Sequence, residues 1–263
     1  RNSRKILCED PATGKKIVTF DSVPFFSKQM QVLLGQHLYI EGANIEDYIA
    51  LGGYQSLAKV LTTMKPEQVI EIIKKSGLRG RGGGGFPAGV KWETARRAEG
   101  DERFVVANGD EGDPGAFMNR SLMEDNPHSI LEGMIIGSYA IGAHQGFIYV
   151  RDEYPLAVER LTLAVELAKE YGLLGDNILG SGHSLTLRIV RGGGAFVCGE
   201  STALMASIEG RPGEPRAKYI HTVEKGLWNK PTVLNNVETW ANVPLIIRNG
   251  VEWFTGIGTG DVS

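Results

Sequence analysis

Leu78-Arg-Gly-Arg-Gly-Gly-Gly-Gly-Phe-Pro-Ala-Gly-Val-Lys-Trp92 carries six glycines within positions 80–89, accompanied by Arg79, Arg81 and Lys91. Residues without a Cβ let backbone amides approach phosphoryl oxygens closely, and glycine takes the positive φ values that build a concave nest of donors. The stretch therefore reads as a phosphate-binding loop. Gly80, Gly82 and Gly85 satisfy G-x-G-x-x-G, a pattern that marks a dinucleotide site only when it follows a strand and opens the helix of a βαβ unit. Here a helix comes first: Pro66 stands at a first helical position, Val69, Ile70, Ile72 and Ile73 form an apolar face, and Gly77 closes it. An ordinary Rossmann reading is thereby removed. A flexible linker is the competing reading, but linkers rarely embed Phe86, Trp92 and three cations among their glycines.

The chain has 263 residues, 42% hydrophobic content and a formal net charge of -3. That supports a substantial core, argues against electrostatic capture of nucleic acid, and leaves no apolar run near the ~20 residues needed to cross a bilayer. A soluble, cytoplasmic protein with no direct membrane insertion is expected. The 35 glycines are nearly twice the usual share of about 7%. With only Cys8 and Cys198, the chain cannot build a disulfide scaffold or a four-cysteine cluster by itself, and no metal site is expected. Starting at Arg1 and stopping in the glycine-rich 254–263 stretch, it reads as trimmed at both ends.

Residues 1–53 read as an irregular lead-in wrapping the main body, with a short helix at 45–50. A helix over 54–64 opens the main α/β domain, expected to run to 246, with residues 247–263 beginning a further small domain. Helices are expected at 90–97, 128–141, 155–171 and 202–209, and strands at 103–107, 146–150 and 185–190. Alternating strands and helices imply a layered, mostly parallel α/β sheet with helices on both faces, whose ligands gather at the carboxyl ends of strands.

Two polar clusters fall at such ends. Asn108-Gly-Asp110-Glu111-Gly-Asp113-Pro-Gly115 has three carboxylates, but not the spacing of an EF-hand calcium loop. Gly192-Gly-Gly-Ala-Phe196-Val-Cys198-Gly199-Glu200-Ser201 again follows a strand and opens a helix, whose first amides can hold polar ligand atoms. Cys198 lacks a Cys-His signature and reads as a buried apolar thiol. Asn235 and Asn236 offer two adjacent amides that can pair with a heterocycle's edge. His128, His183 and His221 have no metal-like spacing and read as structural, polar or nucleotide-contacting residues.

Taken in order, these stretches resemble the flavoprotein subunit of respiratory complex I. The lead-in Cys8-Glu-Asp-Pro-Ala-Thr-Gly14 and Ile45-Glu-Asp-Tyr-Ile-Ala-Leu-Gly-Gly-Tyr54 draws the resemblance closer to the homologous subunit of soluble NAD(P)-linked, electron-bifurcating hydrogenases. The resemblance implies the FMN-binding fold of that family and a crevice that holds FMN together with NAD or NADP. It implies flavin contacts from Gly80, Arg81, Gly82, Gly83, Lys91, Asn108, Asp110, Glu111, Phe196, Gly199, Glu200, Asn235 and Asn236. It further implies nucleotide contacts from Phe86, Lys91, Asp113, Ser201 and Lys218, with Phe86, Lys91, Glu111 and Asp113 nearest the hydride transfer. Residues 247–263 correspond to the start of the family's ubiquitin-like domain. A [4Fe-4S] cluster is implied only in a missing C-terminal part, and a [2Fe-2S] thioredoxin-like subunit and a hydrogenase-like or other catalytic subunit as partners.

Departures from the family pattern gather at the adenosine end. Ser201 stands where the family has a second carboxylate, and Thr94 and His221 replace aromatic residues. A carboxylate near a ribose 2'-OH repels a 2'-phosphate, so its loss either opens the site to NADP(H), with Arg96, Arg97, Lys218 or His221 to supply cations, or is a neutral substitution that retains NAD(H). The alternative to a redox subunit is a scaffold or docking module that retains the fold without the flavin.

Overall fold

The structure is a computed structural model that describes residues 8–19, 22–35, 40–215 and 221–258, with Phe196 described by its backbone alone. The chain divides into two compact units, residues 1–35 and 36–263. In the first, β1 (Cys8–Glu9) pairs antiparallel with β2 (Lys16–Ile17). The turn between them is built by Asp10, whose carboxylate accepts from the Ala12 amide and the Thr13 hydroxyl, an Asx-type turn.

The second unit opens with three helices, α1 (Ile45–Ala50), α2 (Gln55–Thr63) and α3 (Pro66–Lys75), followed across the glycine loop by α4 (Ala88–Arg97). Then come β3 (Phe104–Gly109), α5 (Met118–Asp125), α6 (Pro127–Ile141), β4 (Gln145–Arg151) and α7 (Pro155–Glu170). The chain continues through β5 (Thr186–Gly192), α8 (Ser201–Ile208), α9 (Thr222–Lys225), β6 (Thr232–Asn236), α10 (Val237–Asn249) and α11 (Val251–Thr255). The expected domain boundary at 246/247 falls inside α10, which carries the chain across it.

The four main strands lie in the order β5-β4-β3-β6, all parallel. Strand alternation sends Phe104, Val106, Phe147, Tyr149 and Leu234 to one face, where they bury Cys198 and the α8 residues Leu204 and Met205. The opposite face is covered by α6 and α10, and helices thus lie on both faces. From β3 the chain moves to β4 and β5 on one flank, whereas β6 arrives on the other flank of β3. Between β3 and β6 the strand order reverses, and at their carboxyl ends Asn108 is paired in register with Asn236. This is the topological switch point where open α/β sheets leave a crevice.

The crevice is held by the crossing of α6 and α10. A Cβ on Gly133 would stand 2.0 Å from the Trp240 carbonyl oxygen, and one on Gly137 2.4 Å from the Trp240 ring. Pro244, inside α10, has no N–H to offer that same carbonyl four residues back. The helix keeps its course because it is buried, with Trp240 stacked against Trp92 at 5.4 Å and its indole N–H donating to the Val106 carbonyl.

A buried polar network ties α1 and α2 to α6. Glu132, 1% exposed, accepts from the Tyr48 hydroxyl at 2.7 Å and from the amides of Tyr54 and Leu57. His128 and His183 are buried structural residues, as expected from their spacing. Among the described residues no helix is long and apolar enough to cross a membrane.

Candidate functional site

The carboxyl ends of β3 and β6, the glycine loop and the segment before α8 enclose a cavity of about 680 Å³. Arg81, Gly82 and Gly83 form one wall and Asn236 and Glu238 the adjoining one. Asn108, Asp110 and Glu111 form the floor, Asp113 part of the rim, and Val197, Gly199 and Glu200 the far side. Ten residues anticipated from sequence thus meet in one crevice.

The loop is rigid at its neck and open at its tip. Gly80 donates to the Phe86 carbonyl at 2.9 Å, Ala88 to the Leu78 carbonyl at 2.8 Å, and Arg79 bridges Pro87. The Arg81 amide donates to the Thr239 hydroxyl at 3.0 Å, which docks the tip on the first turn of α10. The amides of Gly82, Gly83 and Gly84 have no backbone acceptor among the described residues, and Gly83 holds φ +93°. Gly80 belongs to the neck and does not reach the cavity. Together with the N-terminal turn of α10, which borders the cavity through Asn236 and Glu238 and whose dipole favours anions, the tip has the chemistry of an oxyanion cradle.

The acidic turn is held from behind. Asn108 accepts from the Asp110 amide through Oδ1 and donates through Nδ2 to the Gly199 carbonyl at 3.1 Å, joining the turn to the far wall. Both oxygens of Glu111 accept from the first amides of α5, those of Asn119 and Arg120, so this carboxylate is already engaged. Its carbonyl accepts from Arg151 at 2.8 Å and from the Tyr154 hydroxyl. Neither Arg151 nor Tyr154 was legible as a site residue, since each follows a strand unremarkably. Asp110 differs: its Oδ2 is buried without a hydrogen-bond partner, and burial holds the carboxyl above its ordinary range despite the nearby Arg151. Asp113 is exposed at the rim.

At the far wall Glu200 is the N-cap of α8, accepting from the amides of Thr202 and Ala203 and from the Ser201 hydroxyl. Burial pushes its carboxyl up, but these bonds bring it below its ordinary value. Ser201 faces Glu200 rather than the cavity.

Lys91 and Asn235 lie one layer back. The Lys91 ammonium donates to the Leu234 carbonyl at 2.8 Å and to Asn235 Oδ1 at 3.3 Å, and burial brings its pKa down to about 8. This fixes the Asn235 amide with its Nδ2 buried and unpartnered. Phe86 projects beside the loop, 53% exposed, and Phe117 is 65% exposed after the acidic turn. The Phe196 side chain and Lys218 lie outside the described residues.

Two cations expected near a 2'-phosphate are elsewhere. Arg96 pairs with Glu67 and donates to the Ala140 carbonyl, which commits it to packing around α4, and Arg97 makes an exposed ion pair with Glu93 on its own helix. His221 is an exposed residue capping α9. The sequence reading also missed Met118, Asn119 and Glu238, which line the cavity. The first two begin a helix with no side-chain cap to announce it, and Glu238 lies one turn beyond the asparagine pair.

Comparison with known proteins agrees with this geometry. The family described as Nuo51 FMN-binding domain matches residues 73–245. The NADP-reducing hydrogenase subunit HndC of Solidesulfovibrio fructosivorans is 53% identical over 232 residues, 88% of this chain and 47% of that protein. An NADH-quinone oxidoreductase subunit of Aquifex aeolicus is 52% identical over 218 residues, 83% of this chain and 51% of that protein. The chain thus spans about half the length of these relatives. Among solved structures, NAD+-reducing [NiFe]-hydrogenase in the air-oxidized state superposes with a TM-score of 0.72 at 35% identity, over 89% of this chain and 37% of that one.

Proposed function

Because the chain belongs to the Nuo51 FMN-binding family, we propose that its crevice holds FMN and that it serves as the flavin subunit of an oxidoreductase exchanging hydride with NAD(P)(H). The observation that carries this reading is the cavity at the β3/β6 switch point, where an anion cradle of glycine amides adjoins the unpartnered Asp110 Oδ2. The residues present fit FMN: the glycine cradle takes a phosphate, and the buried acceptor on Asp110 suits a heterocycle's N–H. FMN, when bound, supplies the exchange between a two-electron hydride donor and one-electron carriers.

The chain's own part is positioning. Arg81 and the amides of Gly82 and Gly83 hold the phosphate, with Thr239 anchoring the Arg81 backbone. Asn108 keeps the floor and far wall at fixed separation. Glu111 acts by ordering the acidic turn, its oxygens being engaged by α5. Lys91 acts through Asn235, whose amide it orients. Phe86 and Asp113, exposed at the rim, are placed to meet a nicotinamide nucleotide arriving from solvent. Both nucleotides remain in the proposal, because relatives named for NADP and for NADH match at nearly equal identity. Iron-sulfur proteins of a larger hydrogenase-like or complex I-like assembly are the proposed electron partners.

The full-length protein should purify yellow and release FMN on denaturation in about equimolar amount. Anaerobic NADH or NADPH should bleach the flavin band. Protein that is colourless and stays so after incubation with FMN overturns the reading in favour of a scaffold.

A further inference from the structure

Glu238 lines the cavity beside Arg81, Gly82, Gly83 and Asn236, at the end where an anion is held. A carboxylate there is unexpected, since it repels the ligand group its neighbours attract. Its backbone explains part of the placement: the Glu238 amide donates to Asn236 Oδ1 at 2.8 Å and its carbonyl accepts from Asn242, fixing the first turn of α10. Its side chain is not explained. The carboxylate is half-buried and accepts no hydrogen bond from any described residue.

The charges around it are few. Arg81 on the glycine loop attracts it and Glu111 on the acidic turn repels it, while burial raises its pKa above the ordinary value. The other acids of the cavity are Asp110 and Asp113 on that turn and Glu200 at the start of α8. On α5, which packs against α10, Arg120 is committed to Glu124. Arg81 is thus the sole cation among the described lining residues, shared between Glu238 and any anion that enters.

We propose that Glu238 is a specificity residue for the phosphate of the flavin. When a phosphate monoester is held by Arg81, Glu238 takes up a proton from solvent, and binding of the phosphorylated flavin is linked to proton uptake. A neutral flavin leaves the ionisation of Glu238 unchanged. This rests on the FMN reading and extends it to the chemistry by which phosphorylated and unphosphorylated flavins are told apart.

Calorimetry on the flavin-depleted full-length protein, in buffers of different ionisation enthalpy near pH 7, counts the protons exchanged on binding FMN. A proton lost by the FMN phosphate is common to all variants and cancels in their comparison. The unmodified protein should take up as much as one proton more than Glu238→Gln. The variant should bind FMN at least about tenfold more tightly at pH 8, where a competing like charge has been removed. Riboflavin should give the same proton count with both proteins. Sulfate, whose charge is constant over this range, tests the unmodified chain alone, and its affinity should fall as pH rises from 6 to 8. Equal proton counts with FMN, an equal difference with riboflavin, or a pH-independent sulfate affinity each overturn the inference. A protein that binds no FMN at any pH instead overturns the reading beneath it.

Discussion

His128 should make this protein acid-labile by an amount the structure specifies. The imidazole is fully buried on α6, with Nε2 2.9 Å from the Ala43 carbonyl and Nδ1 2.8 Å from the Tyr54 hydroxyl. A carbonyl can only accept, so Nε2 carries the hydrogen and Nδ1 accepts from Tyr54, which describes a neutral ring. Burial lowers its pKa from 6.5 to about 4, against the smaller opposing effect of the Ala43 bond. The unfolded imidazole gains its proton near 6.5 and the folded one near 4, so the unfolded state binds more protons between those values. Stability therefore falls as pH drops through that window. At about 1.4 kcal/mol per pH unit the full loss is about 3 kcal/mol, of which about 2 kcal/mol has accrued by pH 5. His183, whose Nε2 donates to the Ser138 hydroxyl that itself donates to the Ile135 carbonyl, is likewise brought down to a pKa of about 4, by burial and by neighbouring His144. Neighbouring Glu132 acts oppositely: burial raises its pKa, and it contributes stability that is lost as pH rises. Urea unfolding at pH 7.5 and 5.0 should be compared between the unmodified protein and His128→Gln, whose amide can keep both bonds without gaining a charge. The unmodified protein should lose about 2 kcal/mol more than the variant. An equal loss in both, or a His128 titration midpoint near 6.5 by NMR, refutes the reasoning.

Two further predictions concern the frame of the site. Gly133→Ala places a Cβ against the Trp240 carbonyl, where backbone meets backbone and neither yields. It should cost about 1–3 kcal/mol and lower the melting temperature by several degrees, and an unchanged Tm contradicts the packing described. Lys91→Met removes the donor to Leu234 and Asn235, which should cost about 1–3 kcal/mol. Because the Asn235 amide then loses its fixed orientation, FMN affinity should drop even at temperatures where the variant is fully folded. Retained affinity would assign Lys91 to stability alone.

Much of this was legible in the sequence. Pattern and punctuation located α3, β3, β4 and α7, because each helix repeats at its own period behind a proline and each strand is a short unbroken apolar run beside glycines. The order helix, glycine loop, helix was enough to remove the dinucleotide fold, since G-x-G-x-x-G acquires its meaning from the strand before it. Four helices escaped, the short α9 and α11 together with α5 and α10. α5 has no side-chain cap on its own first residue, borrowing Glu111 from the preceding turn instead. α10 contains Pro244, which a local reading takes as a stop, and it persists through burial against α6.

The residue types at the crevice were set by the sequence alone: a run of glycines, with carboxylates and amides at the ends of strands. What each does was decided by tertiary contact. Glu111 and Glu200 look like free acids and are caps, Lys91 looks like a phosphate ligand and holds an asparagine, and Arg96 is drawn off by Glu67. Hydrogen-bond partners distant along the chain determine which charges are already satisfied. Only the unsatisfied ones, Asp110 and Glu238 foremost, are left for a ligand.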